Sequence, residues 1–175
     1  MAGLAHRLGR VLRHCWWDDA DLRRALPPAA LARVEAKVAA SELGHGGQIR
    51  VAIEPGLPLS YLRRDLPARS RAIMLFGKLR VWDTEHNNGV LIYLLLAERS
   101  IEIVADRGLA ARVPPQEWSR IVDAMRQTLR EGRFEEGLHA AVDAVDALQR
   151  THFPATGGTG RTRPGNELPD APVLL

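Results

Sequence analysis

The chain has 175 residues, which is the size of one domain, and its hydrophobic content of 46% suffices for one core. Its formal net charge of +3 is too small for the dense basic patch of a nucleic-acid-binding protein, so no nucleic-acid partner is expected. The single cysteine excludes an intrachain disulfide, and no apolar run reaches the roughly 20 residues that a transmembrane segment needs.

Residues 1–26 are predicted to form an N-terminal amphipathic helix. Because Arg or His recurs every three or four residues, this segment lacks the apolar core of a signal peptide, and we expect a cytoplasmic protein. The favoured interpretation is that an apolar stripe covers the domain and leaves the arginines in solvent. The alternative is that the helix and its two tryptophans bind an anionic membrane surface, which would make the protein membrane-peripheral. The stripe consists of Leu4, Leu8, Val11, Leu12 and Cys15.

Residues 27–153 begin with alternating helix and strand patterns. Pro27 and Pro28 suit the first turn of a helix, which the sequence "GHGG" then ends. The segment "QIRVAIE" alternates apolar and polar residues, which predicts a strand with one polar face. Asp65 is the expected start of the next helix, and Trp82 and Trp118 are expected to anchor the core.

The segment "GVLIYLLLAE" is apolar at nearly every position, as expected for a central strand that is covered on both faces. A core helix is the competing interpretation. The preceding Asn-Asn-Gly and the tight connection to "SIEIVADRG" favour a strand and an antiparallel hairpin. Two helices with apolar residues at helical spacing follow, on either side of Gly132. Residues 154–175 are rich in Pro and Gly without periodicity, which predicts a disordered tail that adds little to stability.

Several polar loops are predicted to share one end of the sheet. A strand–helix–strand crossover is parallel and a tight hairpin is antiparallel, so the starts of the first two strands meet the end of the third. Sites usually lie on loops of this kind. The polar residues concerned are Glu42, His45, Asp83, Glu85, His86, Asn87, Asn88, Asp106 and Arg107.

Three segments in this order resemble the TPM domain family: "SELGHGGQIRVAIE", "VWDTEHNNGVLIYLLLAERSIEIVADRGL" and "LREGRFEEGLHAAVDAV". The resemblance implies a three-layer α/β/α sandwich around a small mixed sheet of three to four strands. The family includes a thylakoid-lumen protein described as an acid phosphatase, and members reported to bind divalent metal. This chain resembles a short soluble bacterial subgroup of the family. The genomic neighbours of that subgroup, membrane proteins of the LemA type and membrane-anchored TPM proteins, are the implied partners.

The residues themselves suggest a divalent-metal site. Asp83, Glu85 and Asn87 stand at the first, third and fifth positions of a loop, the alternation by which a calcium loop directs oxygens at one point. The analogy is incomplete, because Leu94 stands where a calcium loop has a bidentate Glu. The oxygen-rich loop makes a Ca²⁺ or Mg²⁺ ion the expected cofactor, and no organic cofactor is expected. The candidates for the remaining ligands are Asn88, Glu42 and Asp106.

The alternative to a metal site is an ordinary polar loop between a helix and a strand. In that interpretation Asn87 or Asn88 adopts a left-handed backbone conformation, and Gly89 lets the chain enter the strand. Both interpretations stay open on the sequence alone.

Familiar catalytic motifs are missing from the sequence. Asp21 stands where the Cys-x5-Arg loop of cysteine phosphatases would require Arg after Cys15, and neither Gly-x-Ser-x-Gly nor a phosphate-binding P-loop is present. Phosphoester hydrolysis would need a metal-activated water, with His45, His86 or Asp106 as proton carrier. We interpret the chain as an accessory or interaction module with a weak divalent-metal site. A metal-dependent acid phosphatase is the alternative.

Overall fold

The computed structural model of the chain describes residues 2–155 and 167–175. These residues contain eight helices and four strands. The segment predicted to hold one N-terminal helix contains two, because the Asp18 side chain caps a new helix there. The helices are α1 (Ala2–Trp16), α2 (Asp19–Ala25), α3 (Pro28–Ser41), α4 (Leu59–Arg63), α5 (Ala68–Lys78), α6 (Arg107–Ala110), α7 (Pro115–Arg130) and α8 (Phe134–His152). The strands are β1 (Gln48–Glu54), β2 (Gly89–Leu95), β3 (Ser100–Ala105) and β4 (Val173–Leu174).

The strands form one mixed sheet in the order β3-β2-β1-β4. β1 and β2 are parallel, with Gln48 opposite Gly89, and β2 and β3 are antiparallel, with Val90 opposite Ala105. The crossover from β1 to β2 runs through α4 and α5. The predicted parallel crossover and antiparallel hairpin are therefore confirmed, and the three predicted loops do meet at one end of the sheet.

Helices cover both faces of the sheet. On one face, side chains such as Ile49 and Ile92 belong to a core cluster with buried residues of α3, α7 and α8. On the other face, Leu91 and Tyr93 belong to a second cluster with buried residues of α5. The result is the three-layer α/β/α sandwich that the resemblance implied, and it explains why β2 is apolar throughout.

Two of the three polar residues that the alternation placed on one face of β1, Gln48 and Glu54, are buried, and Arg50 is half-buried. The Glu54 carboxylate accepts hydrogen bonds from Arg71 Nε at 2.9 Å and from the Tyr93 hydroxyl at 2.6 Å, and Arg71 Nη2 donates to its other oxygen. Burial and the adjacent Glu54 charge raise the pKa of Tyr93, so its hydroxyl stays a donor. Both oxygens of Glu54 are thus satisfied, which is the condition for burying a carboxylate.

Helix α1 packs on the domain with its polar side, contrary to the favoured prediction that its apolar stripe covers the core. Arg10 donates hydrogen bonds to Glu98 Oε1 and to the Leu66 carbonyl, both at 2.8 Å. His14 is buried, with Nε2 3.0 Å from Glu98 Oε1 and with Nδ1 accepting the Leu57 N–H. These charge-assisted hydrogen bonds decide which side of α1 faces the domain.

Most of the predicted apolar stripe of α1 faces solvent as a consequence. Leu8, Leu12 and Cys15 are exposed, whereas Val11 packs against the second core cluster. Leu4 lies outside the described side chains. None of the helices within the described ranges combines the length and the apolar content needed to cross a membrane.

The predicted disordered tail, residues 154–175, is corrected for the part that the structure describes. Residues 156–166 lie outside the described residues, whereas residues 167–175 pack on the sheet. Leu168 is buried, and β4 pairs in parallel with β1. Gln48 Oε1 accepts hydrogen bonds from the backbone N–H groups of Glu167 and Leu168, at 2.9 and 3.1 Å. One buried leucine and backbone pairing at a sheet edge order this segment without any periodic pattern.

Two details of the elements before the central strand also differ from prediction. Asp65 has a φ of +54° and lies before Pro67, which is the residue that precedes α5, so Asp65 does not start that helix. Trp82 is exposed and does not anchor the core. Trp118 is half-buried and does pack against the first core cluster.

Candidate functional site at the polar end of the sheet

We call the place where three loops meet the polar sheet end: residues 42–47 before β1, 83–88 before β2 and 106–108 after β3. The loops lie side by side because of the strand register, and because the Asp106 N–H donates to the Gly89 carbonyl at 2.8 Å. Only glycine fits at Gly89, since an added Cβ would lie 2.0 Å from the Val81 carbonyl oxygen.

Asn87 and Arg107 hold the loop before β2 against the loop after β3. Asn87 has a φ of +51°, the left-handed conformation expected for one of the two asparagines. Its Oδ1 accepts hydrogen bonds from Arg107 Nε and Nη2, at 3.0 and 2.8 Å. The Gly108 N–H donates to the Asn87 carbonyl at 2.8 Å. Both lone pairs of Asn87 Oδ1 are therefore engaged by one guanidinium.

Asn88 links three parts of the polar sheet end. Its N–H donates to Thr84 Oγ1 at 3.1 Å, and its Nδ2 donates to the Gly46 carbonyl at 2.9 Å. Its carbonyl accepts a hydrogen bond from Gln149 Nε2 at 2.7 Å. The remaining side-chain oxygen, Asn88 Oδ1, is buried and has no hydrogen-bond partner, and the same holds for Gln149 Oε1.

Asp106 is, with Glu42, one of two buried carboxylates of this end. Its Oδ1 accepts the Arg107 N–H at 2.7 Å and so caps α6. Its Oδ2 is buried without a hydrogen-bond partner. A buried acceptor without a partner costs about 1–3 kcal/mol, and more when the group is charged. Asp106 Oδ2 is therefore an atom of the polar sheet end that a bound ligand would stabilise.

His45 is buried beside α8. Its Nδ1 accepts the Gly47 N–H at 3.1 Å, which places the proton on Nε2, 3.4 Å from Asp146 Oδ1. Burial lowers the pKa of His45; the Asp146 carboxylate acts in the opposite direction, and Arg150 lowers the pKa further. His45 is therefore neutral near pH 7, and its ring is positioned by contacts within the domain.

The other predicted ligands have partners of their own or face solvent. Asp83 is exposed and lies 3.6 Å from Arg80 Nε, and Glu85 and His86 are exposed. Glu42 Oε1 accepts a backbone N–H at the start of β1, at 2.8 Å. Within residues 2–155 and 167–175, no group of three or more His, Cys, Asp and Glu side chains is arranged to hold a metal ion. The structure thus places Asn88 and Asp106 on adjoining loops. The three residues of the predicted calcium-like alternation do not share one environment: Asp83 and Glu85 are exposed, and Asn87 binds Arg107.

Gln149 is the residue of this end that the sequence reasoning missed. It is fully buried and continues the apolar repeat of α8 formed by Leu138, Val142 and Val145. Its amide fills the space beside Gly47, where an added Cβ would lie 2.1 Å from Gln149 Oε1. A polar residue at a core position of an amphipathic helix is the signal that identifies it.

Comparison with known proteins identifies the family. The family model of the TPM domain matches residues 20–148. The NMR structure of the BA42 protein from the psychrophilic bacterium Bizionia argentinensis is similar in fold, with a TM-score of 0.71 at 22% identity over 85% of this chain and 94% of that chain. The NMR structure of the N-terminal domain of a P. gingivalis protein has a TM-score of 0.59 at 24% identity over 72% of this chain and 77% of that chain. No curated protein matches the sequence. The match to the family model spans most of the chain, which therefore belongs to the TPM domain family.

Proposed function

We propose that the chain is an accessory or interaction module that weakly binds a hard divalent cation, Ca²⁺ or Mg²⁺, at the polar sheet end. One observation carries this proposal: Asp106 Oδ2 and Asn88 Oδ1 are both buried without a partner, on loops that the sheet holds side by side. Buried polar atoms normally have partners. Carboxylate and amide oxygens are ligands that both ions accept.

The donor set explains why the proposed binding is weak. Ca²⁺ takes about six to eight oxygen ligands, and affinity rises with the number of charged ones. Asp106 is the one carboxylate in the proposed set, and Asn88 supplies a neutral oxygen. Gln149 Oε1, which is buried and unpartnered next to Asn88, is a third donor. Asp83, the first residue of the predicted calcium-like loop, is not needed in this set.

The accessory role rests on family membership and on the resemblance to the short soluble subgroup. We propose that the protein acts in the cytoplasm beside a membrane protein of the LemA type or a membrane-anchored TPM protein. The cation would then stabilise the loops of the polar sheet end for that contact, because a ligand that binds only the folded state favours that state.

Thermal unfolding with and without cations tests the site. At a cation concentration of ten times Kd, mass action adds about 1.4 kcal/mol, which corresponds to roughly 3–6 °C in Tm for a chain of this size. Asp106→Asn keeps an oxygen that caps α6 but removes the charge, so we expect this shift to disappear. The matched control is Asp83→Asn, an exposed aspartate on the neighbouring loop, which should keep the shift.

Equal responses of Asp106→Asn and the parent chain to Ca²⁺ and Mg²⁺, measured against a chelator, would contradict the proposed ligand. Loss of the cation response in Asp83→Asn would indicate that the ligands lie on the predicted calcium-like loop that begins at Asp83. A phosphate-ester assay on the same samples tests the enzyme alternative. Hydrolysis that needs the cation and disappears in Asp106→Asn would make the protein a phosphatase rather than a binding module.

A further inference from the structure

Helix α1 presents three large apolar side chains to solvent on one face. Leu8 is 61% exposed, Leu12 is 53% exposed and Trp16 is 81% exposed. Residues spaced by four lie one above the other on a helix, so these side chains form one line, which we call the α1 stripe. Single exposed leucines are ordinary, but an aligned patch that ends in tryptophan is typical of an interaction surface.

The opposite face of α1 holds the helix in this orientation. Arg10 bonds to Glu98 and also lies 3.1 Å from Asp65 Oδ1, and His14 is buried between Glu98 and the Leu57 N–H. Rolling the α1 stripe inward would expose these groups and break their hydrogen bonds. The outward direction of the stripe is therefore part of the folded state.

Arginines are the charged side chains of α1 itself. The exposed acidic side chains nearby are Asp65, which lies 3.8 Å from Arg7 Nε, and Asp18 and Asp19 after the end of the helix. Residues 1–17 contain three arginines and no aspartate or glutamate. Arg7 and Arg13 are exposed on α1, and Arg63 and Arg64 are exposed at the end of α4, where the Arg63 carbonyl accepts a hydrogen bond from Arg7 Nη2 at 2.9 Å. An apolar line flanked by exposed arginines complements a surface with acidic head groups above an apolar layer.

A second copy of the chain fits the α1 stripe poorly. Three side chains cannot supply the roughly 800 Å² per partner of a standard stable interface. We propose that α1 binds the surface of an anionic lipid bilayer, with the α1 stripe at the acyl boundary and the exposed Arg13, Arg63 and Arg64 on lipid phosphates. This proposal is independent of the cation site.

Co-sedimentation of the full chain with vesicles tests the proposal. Vesicles of phosphatidylcholine mixed with phosphatidylglycerol should bind the parent chain, and vesicles of phosphatidylcholine alone should bind it at least tenfold more weakly. Raising NaCl from about 0.05 M to about 0.5 M should weaken the binding, because salt screens the arginines. Trp16 should report insertion through a blue shift of its fluorescence, and this shift should be absent in Trp16→Phe.

The decisive variant is the double substitution Leu8→Ser with Leu12→Ser, which changes exposed side chains and should leave Tm within a few degrees of the parent. We expect at least a tenfold loss of binding to the anionic vesicles. The matched control is Ile73→Ser, which changes an apolar side chain that is 54% exposed on α5 and should bind as the parent does.

Three outcomes would overturn the proposal. The first is no binding of the parent to anionic vesicles, and the second is equal binding by the double variant and the parent. The third is a dimer of the parent in light scattering that the double variant converts to a monomer, which would assign the α1 stripe to a second copy.

Discussion

Replacing Leu168 by alanine tests whether residues 167–175 belong to the folded domain. Leu168 is 5% exposed and lies in the core cluster that includes Ala52, Leu91 and Tyr93. Alanine would remove most of a buried side chain and leave a cavity, at a cost of about 2–5 kcal/mol in buried sites.

We expect the lower part of that range, about 2–3 kcal/mol. Leu168 lies at the margin of the sheet, where its surroundings can partly collapse. The segment also keeps its other attachments, because Arg50 Nη1 donates to the Ala171 carbonyl and the Leu175 N–H donates to the Ile53 carbonyl. For a chain of this length the loss corresponds to a fall in Tm of roughly 4–12 °C.

Urea unfolding followed by circular dichroism gives the free energy of unfolding of Leu168→Ala and of a matched control. The control is Leu174→Ala in the same segment, where the leucine is 45% exposed and the expected loss is below about 1 kcal/mol. Equal and small losses in the two variants would refute the docking of this segment and restore the prediction of a tail without influence on stability.

Two further predictions concern the attachment of α1 and the entry to β2. Burial acts to raise the pKa of Glu98, but hydrogen bonds from two side chains of α1 prevail and lower it. Because the folded pKa is below the unfolded value of about 4.3, this stabilisation is present above that value and is lost as pH falls through the folded pKa. When the free energy of unfolding in urea is measured from about pH 6 to pH 2, Glu98→Gln should lack this part of the pH dependence. The same dependence on pH in Glu98→Gln and the parent would contradict the stabilising role of Glu98. Gly89→Ala should cost at least about 3 kcal/mol because its Cβ meets the Val81 carbonyl, whereas Gly77→Ala, with no atom within 4 Å, should be neutral or stabilising by up to about 1 kcal/mol. Similar urea midpoints for the two alanine variants would contradict the close approach.

The type and order of the central elements follow from local patterns in the sequence. A strand that helices cover on both faces must be apolar at every position, and β2 is. A parallel crossover and a tight hairpin then leave few ways to connect β1, β2 and β3. The loops at the polar sheet end could therefore be grouped before any coordinates were known.

Polar contacts between residues far apart in the chain could not be predicted from these local patterns. The side of α1 that faces the domain depends on Glu98, which is 88 positions from Arg10. An amphipathic pattern predicts two unlike faces, but it does not say which face finds the better partner. Burial of an arginine and a histidine against one carboxylate outweighed the burial of three apolar side chains.

The sequence by itself determined the pairing of β1, β2 and β3 and the group of polar residues at one end of the sheet, because periodicity and connection rules act on neighbours in the chain. The sandwich was implied by the resemblance to the TPM domain family. Only the tertiary structure decided which polar atoms are already satisfied, as in Asn87, and which stay buried without partners, as in Asn88 and Asp106. It also decided that residues 167–175 pack on the sheet and that Gln149 completes the polar sheet end. Whether a buried polar atom has a hydrogen-bond partner depends on atoms from distant parts of the chain, and a local sequence pattern does not predict it.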